Sequence, residues 1–359
     1  MCGIVAFYDP KINEKQAVIG KMMATIKHRG PSSDGYYTND EVALGFRRLS
    51  IIDLRGGTQP IYNEDKTRAI IFNGEIYNFK PLREQLIKAG HNFTTKADTE
   101  VLLDGYKEWG MDGLLKKVRG MFAFLIWDDN NKTLYGARDF FGIKPMYYSN
   151  QDGHLLVGSE LKSFLEYPKF KRELNVEAVK PYLMNQYNDL EETFFKGVYR
   201  VEPGYQILYK DGKINKTQFF KLEFDEKDED MDTIVNKIRK AMDNSVKYHQ
   251  ISDVEVGSFL SSGIDSSYLV SIAKPDKTFT VGYDNPKYDE IKYAKDLADK
   301  LMSSGIYVFY DGYAPDGTNL VQFMIDGIKR ANKVLIVGTP IYKEKLERNN
   351  GGAKFEDQI

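Results

Sequence analysis

The only cysteine in the chain is its second residue, in the start Met-Cys-Gly-Ile. Methionine before a small second residue is usually removed, so we expect the mature chain to begin at Cys2. That residue would then carry both a thiol and a free α-amine, which titrates near roughly pH 7.7–8. The amine can act as general base to its own side chain, which makes Cys2 a candidate nucleophile. The alternative is an ordinary exposed cysteine near a terminus.

Four short segments after Cys2 carry other groups that hydrolysis of the glutamine amide needs. The segments are His28-Arg29-Gly30-Pro31, Arg47-Arg48-Leu49-Ser50-Ile51-Ile52-Asp53, Asn73-Gly74-Glu75-Ile76-Tyr77-Asn78 and Asp98-Thr99-Glu100. Arg48 offers a planar fork for an α-carboxylate, and Asp98 offers a counter-charge for an α-ammonium. Asn73 and the backbone N–H of Gly74 can form an oxyanion hole, since glycine permits a close approach.

Each of these segments also has a structural interpretation. An arginine before an apolar strand is usually a solvated edge residue, and Asn-Gly is usually a hairpin turn. Asp98-Thr99 can cap the helix that follows it. Taken one at a time these alternatives are preferred, but the ordered set behind Cys2 favours a catalytic site.

The elements that must position these residues are short strands with helices between them. Strand patterns lie at Gly3–Tyr8, Val42–Phe46, Arg68–Phe72, Met121–Asp128 and Thr133–Ala137, and helical patterns lie at Lys15–Lys27, at Asn78–Ala89 and after Asp98. Strands on both sides of helices, joined by hairpin turns, predict antiparallel sheets with helices on their faces. We assign this first domain to residues 1–205.

The second half of the chain has a different pattern. A hairpin at Gln206–Gln218 and an acidic stretch at 222–232 form the predicted connection, residues 206–229. An amphipathic helix at Met231–Gln250 follows, with apolar residues spaced at four. Strands and helices then alternate from the strand Val254–Leu260 and the helix Ser266–Ala273 onwards, which predicts a parallel sheet.

A serine-rich loop joins that strand to that helix. Ser261, Ser262, Gly263 and Ser266 could surround a pyrophosphate with backbone N–H groups and hydroxyls at a helix N-terminus. Asp265 could help to hold magnesium, or it could cap the helix. The alternative for the whole loop is a simple helix cap.

Composition limits the classes of partner. The chain has 359 residues, 42% of them hydrophobic, which suggests two or three domains with cores of their own. Fifty basic and fifty-two acidic residues give a net charge of −2, so no nucleic-acid partner is expected. A single cysteine suits a reducing cytoplasm. We find no signal peptide, no apolar run near 18 residues and no metal-like spacing of the four histidines.

Residues 1 to about 300 resemble the glutamine-dependent asparagine synthetases. The four segments above carry the resemblance, together with Arg138-Asp139-Phe140-Phe141-Gly142-Ile143-Lys144-Pro145-Met146-Tyr147-Tyr148 and Gly158-Ser159-Glu160-Leu161-Lys162. It implies a four-layer α/β/β/α N-terminal-nucleophile hydrolase domain, followed by a truncated parallel α/β nucleotide-binding domain. It also implies Cys2 as nucleophile, Arg48, Asp98 and Glu75 as glutamine-binding residues, and Asn73 with Gly74 as the oxyanion hole.

The same resemblance implies ATP, magnesium and aspartate as ligands of residues 230–300. The serine-rich loop is similar to the family's pyrophosphate loop Ser-Gly-Gly-x-Asp-Ser, with Ser262 in place of the first glycine. Val281 lies in a segment that resembles the family strand near the adenosine. In this family, ammonia from glutamine attacks a β-aspartyl-AMP. The family's Ser-Gly-Glu-Gly-x-Asp-Glu stretch is not found, so we expect impaired synthesis of asparagine.

Residues 301–359 resemble part of a bacterial TIR or SEFIR-type signalling domain. The supporting residues are Gly305–Asp311, Leu320–Ile328 and Val334–Tyr342, with Glu356 near the glutamate of NAD-cleaving members. An alternative function is therefore signalling or NAD cleavage, with a glutamine-sensing front domain. The preferred interpretation is that this stretch only completes a sheet. The oligomeric state stays open, with a homodimer as one option.

Overall fold

The computed structural model describes residues 1–280 apart from 189, 262 and 276, together with residues 296 and 299. The chain divides into two compact units, Met1–Glu226 and Lys227–Ile359. The division falls inside the acidic stretch 222–232. Each unit is described by itself.

Twelve strands and four α-helices make up the described part of the first unit. The strands are β1 (Gly3–Tyr8), β2 (Ser33–Thr38), β3 (Val42–Arg48), β4 (Ile61–Tyr62), β5 (Arg68–Ile76), β6 (Gly120–Asp128), β7 (Thr133–Arg138), β8 (Tyr147–Gln151), β9 (His154–Gly158), β10 (Val198–Arg200), β11 (Tyr205–Lys210) and β12 (Lys213–Gln218). The helices are α1 (Lys15–Thr25), α2 (Phe79–Lys88), α3 (Asp98–Lys117) and α4 (Val179–Asn185). The five strands and three helices predicted for this region are all present, most of them with ends shifted by a few residues.

The strands form two six-stranded antiparallel sheets. The first has the order β10-β8-β9-β1-β3-β2 and the second the order β12-β11-β7-β6-β5-β4. The predicted hairpin at 206–218 extends the second sheet, because β11 pairs with β7 as well as with β12. In the first sheet β1 is central, with Gly3 opposite Arg47 of β3 and Val5 opposite Gly158 of β9.

The two sheets pack face to face over one hydrophobic core. That core joins Ile4 and Phe46 of the first sheet to Ile71 and Trp127 of the second. Helix α1 covers the outer face of the first sheet through residues such as Ile19. Helix α3 covers the second sheet, where the Tyr106 ring lies 5.1 Å from the Tyr135 ring of β7. The four-layer α/β/β/α fold is thus confirmed.

The two sheets lie between layers of helices, and this position explains the apolar sequences of strands such as β5. Strand β5 is covered by β-sheet on one face and by helix on the other, and all but two of its nine residues are buried. A strand covered on both faces reads as a continuous apolar run, interrupted only where a polar side chain is needed. The polar interruption in β5 is the segment Asn73-Gly74-Glu75.

The described part of the second unit is a parallel β-α-β arrangement. It contains α5 (Met231–His249), β13 (Gly257–Phe259), α6 (Ile264–Ala273) and β14 (Lys277–Phe279), and β13 pairs with β14 in parallel. The predicted alternation is confirmed here, although β13 is shorter than predicted. On α5 only Val246 of the predicted apolar face is buried, while Ile234 and Ile238 are exposed. The elements predicted beyond residue 280 lie outside the described residues.

Candidate active site

Cys2 lies immediately before the central strand β1 of the first sheet. Its Sγ is 3.6 Å from the Leu49 carbonyl oxygen and accepts a hydrogen bond from the Leu49 N–H at 3.4 Å. Arg29 Nε donates to the Cys2 carbonyl at 2.9 Å. The thiol therefore lies against the backbone of Leu49, the residue that follows Arg48.

Two of the segments that carry the family resemblance, His28-Arg29-Gly30-Pro31 and Gly158-Ser159-Glu160-Leu161-Lys162, contact each other and the chain next to Cys2. Arg29 Nη1 makes an ion pair of 2.9 Å with Glu160, and the Ile4 N–H donates to Ser159 Oγ at 3.0 Å. His28 Nε2 also lies 2.9 Å from Glu160. Because these contacts span more than 130 residues, tertiary folding brings the two segments together at the start of β1.

The charge of the Cys2 thiol is set by opposing effects. Burial is the largest of them and raises the pKa of Cys2 above its ordinary value, although the Leu49 N–H, the chain's N-terminal ammonium, Lys144 and Arg48 each lower it. The positive charges therefore offset part of the burial effect and so favour the thiolate, the form that acts as nucleophile.

Arg48 is buried at the end of β3, where its guanidinium holds a loop. It donates to the carbonyls of Leu54 at 3.3 Å, Ile52 at 3.1 Å and Asp53 at 2.5 Å. A side chain at position 57 would not fit, because a Cβ on Gly57 would lie 2.6 Å from Arg48 Nη2. Arg48 is therefore not the solvated edge residue of the alternative interpretation, and its described partners are backbone carbonyls.

Hydrogen bonds of Asp53 connect the same loop to the segment that precedes α3. It has φ of 51°, and its carboxylate accepts from Gly56 N at 2.9 Å and from Lys96 N at 2.8 Å. Lys96 stands two residues before Asp98. Asp53 ends one of the predicted segments, but no role was predicted for it. Aspartate tolerates the left-handed backbone conformation and is frequent in turns, so the residue type at position 53 is the signal in the sequence for a turn.

Asp98 is the first residue of α3 but does not act as its cap. The N-cap is Ala97, without a side-chain cap bond, and Asp98 Oδ2 instead accepts from Ile76 N of β5 at 2.9 Å. Burial, together with the charge of the nearby Glu75, raises the pKa of Asp98 to about 7. The cap interpretation was wrong, and a buried carboxyl stands beside Glu75 instead.

Asn73 and Gly74 lie within β5, opposite Ala123 and Phe122 of β6. The hairpin-turn interpretation of this Asn-Gly pair was therefore wrong. Asn73 is 1% exposed, and its Nδ2 has no hydrogen-bond partner among the described residues. A buried amide donor without a partner is costly, which is the arrangement expected of a group kept for a ligand.

Packing against the neighbouring strand requires a glycine at position 74. A Cβ there would lie 2.2 Å from the Met121 carbonyl oxygen of β6. The adjacent strand alone therefore excludes a side chain at this position.

Lys144 is a site residue for which no role was predicted. It is 5% exposed, and its Nζ donates to Met1 Sδ at 3.5 Å. Burial lowers the Lys144 pKa, while Glu75 and Cys2 raise it. The signal was its place in the string Arg138–Tyr148, where a lysine stands in an otherwise apolar stretch after Gly142.

The serine-rich loop of the second unit lies at the surface, and its serine hydroxyls form hydrogen bonds with other residues of the same loop. Ser261 and Ser266 share a hydrogen bond of 3.0 Å between their hydroxyls, and Ser266 Oγ and Ser267 Oγ donate to the Gly263 carbonyl at 3.1 and 2.7 Å. Gly263 is the N-cap of α6 and Asp265 lies in its first turn. Ser262 and Val281 lie outside the described residues.

Two other kinds of feature are absent from the part of the chain that the structure describes. Within it, no group of three His, Cys, Asp or Glu residues is arranged to hold a metal ion. None of the helices described there has the length and apolar content that a bilayer crossing requires.

A family model described as a glutamine amidotransferase domain matches residues 1–220 of the chain. The chain belongs to the glutamine amidotransferase family. A second model, described as asparagine synthase, matches residues 237–313. This amidotransferase is therefore of the asparagine synthetase-like type, and the second match continues past residue 300, where we expected the resemblance to end.

Curated relatives agree with that placement. The amidotransferase is 44% identical over 310 residues to asparagine synthetase [glutamine-hydrolyzing] 1 of Bacillus subtilis, covering 84% of this chain and 49% of that protein. It is 32% identical over 342 residues to a putative asparagine synthetase 2 of Methanocaldococcus jannaschii, covering 86% and 65%. The chain thus spans about half the length of the first of these relatives. Neither relative and neither family model supports the TIR-like interpretation of residues 301–359.

Among solved structures, the chain is similar to a glutamine phosphoribosylpyrophosphate amidotransferase from Bacillus subtilis. The TM-score is 0.46 at 18% identity, covering 86% of this chain and 66% of that one. At this level the similarity adds nothing to the family placement.

Proposed function

We propose that the amidotransferase hydrolyses glutamine to glutamate and ammonia at Cys2. The observation that carries the proposal is the buried, unpartnered Nδ2 of Asn73 in a unit whose thiol is held at Leu49. A hydrolase of this kind needs a nucleophile and an unused donor for the oxyanion, and these two groups meet that need.

The proposed reaction begins with the free α-amine of mature Cys2. The amine takes the thiol proton, and the thiolate attacks the glutamine amide carbon while the carbonyl electron pair moves onto oxygen. The amide of Asn73 and the N–H of Gly74 stabilise that oxyanion. The intermediate collapses and ammonia leaves with the proton from the amine. Water, deprotonated by the amine, then attacks the thioester and releases glutamate and the thiol.

Arg48, Asp98 and Glu75 would bind the amino-acid end of glutamine. The Arg48 guanidinium has five N–H donors, and its described contacts with three carbonyls leave donors for the α-carboxylate. Asp98 would receive the α-ammonium beside Glu75. Since burial raises the pKa of Asp98 to about 7, binding of the ammonium would ionise this carboxyl.

For the second unit we propose ATP with magnesium as ligand. The hydroxyls of Ser261, which is exposed, and Ser266, which is half-buried, fit a phosphate chemically at the N-terminus of α6, and Asp265 is exposed in the first helical turn. Ser262 and Val281 complete the proposed set. Bound ATP would supply the adenylate group that activates a carboxylate, which in the family is that of aspartate. The single thiol leads us to propose a cytoplasmic location.

We further propose that the polypeptide 1–359 by itself releases ammonia without making asparagine. It contains no Ser-Gly-Glu-Gly-x-Asp-Glu stretch. Adenylation requires the aspartate carboxylate to be oriented against the α-phosphate, and orientation can account for roughly 7–11 kcal/mol of a barrier. No observation among the described residues favours the alternative of a signalling or NAD-cleaving protein.

The test is an assay of the purified chain with glutamine, ATP, magnesium and aspartate. We expect glutamate without asparagine or AMP, and no glutamate from Cys2→Ala or from a chain whose N-terminal tag leaves Cys2 internal. Replacing glutamine by an ammonium salt should also give no asparagine. Full activity of the tagged chain would exclude the α-amine mechanism, and asparagine formed together with AMP would refute the proposed lack of synthesis. Loss of NAD that is added to the same mixture would support the alternative function.

A further inference from the structure

Lys144 brings a buried cation to the first residue of the chain. Its Nζ lies 3.5 Å from Met1 Sδ, and only 5% of the residue is exposed. Because Met1 is joined to the Cys2 nitrogen, Nζ lies within the reach of one methionine side chain from that nitrogen. After removal of Met1, the Cys2 nitrogen would be the free α-amine.

The fold holds Lys144 in place through a rigid turn. Its backbone N–H donates to Asp139 Oδ2 at 2.9 Å, and Arg138 Nε donates to its carbonyl at 2.8 Å. Asp139 is fully buried and also accepts from Phe141 N and Ile143 N. These bonds fix the backbone at Lys144, and the burial of the residue limits the positions open to its ammonium group.

The other charges around this cation have both signs. Glu75, Asp139 and Arg29 act on Lys144 itself. The N-terminal group and Arg48 of β3 act on the Cys2 thiol, and Asp98 lies near Glu75. Of the two carboxylates that act on Lys144, Glu75 has the larger electrostatic effect. A cation near the N-terminal residue favours the thiolate over the thiol, and it favours the neutral amine over the ammonium. Both effects support catalysis by a cysteine that uses its own amine as base.

We propose that Lys144 is a positioning residue that sets the charge state of the Cys2 thiol and α-amine. This inference deepens the proposed glutaminase function and rests on it. Lys144 acts through Cys2 and need not contact the substrate.

The experiment measures the thiol without using glutamine. Cys2 is the only cysteine, so the rate of alkylation by iodoacetamide and the ¹³Cβ resonance of labelled cysteine each report on this residue alone. Both are followed from pH 5 to pH 10 in the mature chain. The variants are Lys144→Met and Lys144→Gln, which remove the charge, and Lys144→Arg, which keeps it. Lys180→Met, at an exposed position of α4, is the matched control, and circular dichroism confirms folding.

We expect the pH midpoint of the thiol to rise by roughly one to two units in Lys144→Met and Lys144→Gln, as a unit charge several ångströms away requires. Alkylation at pH 6 should slow by about threefold to tenfold, because the smaller thiolate fraction is partly offset by higher nucleophilicity. Lys144→Arg and Lys180→Met should keep the wild-type midpoint.

An unchanged midpoint in either folded charge-removing variant would overturn the inference. If the charge-removing variants shift the midpoint but the unsubstituted chain releases no glutamate from glutamine, the inference about Lys144 stands and the glutaminase proposal is refuted. If the unsubstituted chain releases glutamate but the variants leave the midpoint unchanged, the glutaminase proposal stands and the inference about Lys144 is refuted.

Discussion

The thiol site of the first unit and the serine-rich loop of the second unit differ in how their polar groups are held. Arg48, Asn73 and Asp98 are each at most 5% exposed, and Arg48 and Asp98 are fixed by hydrogen bonds to backbone groups outside their own helix or strand. In the loop, Ser261, Gly263 and Asp265 are exposed and the hydroxyls bond within a span of seven residues.

The difference follows from the cost of burying polar groups. A buried polar side chain is held by close packing and, in most cases, by hydrogen bonds, so the fold fixes its position before any substrate arrives. Exposed hydroxyls can exchange partners with water, so the loop can adjust to a ligand but is not fully shaped for one. We therefore expect substitutions in the thiol site to have large effects and those in the loop to have small ones.

Apart from Cys2, the largest effect is expected at Asn73. Asn73→Ala removes the proposed oxyanion donor and should lower kcat by about 100–1000-fold. Because Nδ2 has no partner among the described residues, the free energy of unfolding should change by no more than about 1 kcal/mol. Glutaminase kinetics and urea unfolding measure the two quantities.

The matched control for Asn73 is Asn63→Ala. Asn63 is also buried, but its Nδ2 donates to Asp65 at 2.8 Å in a turn. This variant should lose about 1–3 kcal/mol of stability and keep its kcat. Equal losses of kcat in both variants would contradict the special role of Asn73.

A smaller effect is expected at Arg48. Lysine cannot replace the planar fork, so Arg48→Lys should raise the KM for glutamine by about 10–100-fold, equivalent to roughly 1.5–3 kcal/mol. Arg47→Lys serves as the control, because Arg47 pairs with Asp34 at the surface and donates to the Met23 carbonyl. If the two variants have the same KM, Arg48 does not bind the substrate.

The pH dependence of binding tests Asp98. An ammonium ligand needs the ionised carboxyl, so glutamine should bind the Cys2→Ala variant roughly tenfold more tightly at pH 8 than at pH 6, given a pKa of about 7. Asp98→Asn should bind weakly and show no such change. Isothermal titration at several pH values measures this, and a flat profile in the Asp98-containing chain would exclude the role.

The same raised pKa fixes the sign of a stability effect. A carboxyl that holds its proton more tightly when folded stabilises the protein below the ordinary aspartate pKa, and that contribution is lost as pH rises through about 7. Relative to Asp98→Asn, the ligand-free chain should therefore become less stable between pH 4 and pH 8, which urea unfolding at several pH values measures.

The smallest effect is expected in the loop. Ser266→Ala removes hydroxyl contacts with Ser261 and Gly263 and should weaken ATP·Mg binding by only a few-fold, since a neutral hydrogen bond contributes about 1 kcal/mol. Ser271→Ala, which removes a hydroxyl bonded to Tyr268 within the same helix, should leave binding unchanged. A loss of 100-fold or more at Ser266 would show that the loop is as tightly specified as the thiol site.

Local patterns were sufficient for most elements of both units. The apolar run of β1 has the bounds predicted, Gly3–Tyr8, and the switch to strand and helix alternation correctly predicted the parallel pair β13 and β14. Local patterns failed for Asp98 and for Asn73-Gly74, which resemble a helix cap and a hairpin turn. In both cases a partner strand uses the residue differently, and that strand is distant in the sequence.

The sequence by itself indicated the family, a candidate nucleophile and the types of group around the thiol, because residue chemistry and motif order are local properties. Only the tertiary structure decided that Arg48 holds a loop, that Asp98 bonds to β5 and that Lys144 reaches the N-terminus. These are contacts between groups brought together by the packing of two sheets and their helices. Burial then changes the pKa values of Cys2, Asp98 and Lys144, because the loss of water around a charge depends on the packed structure and not on the residue type.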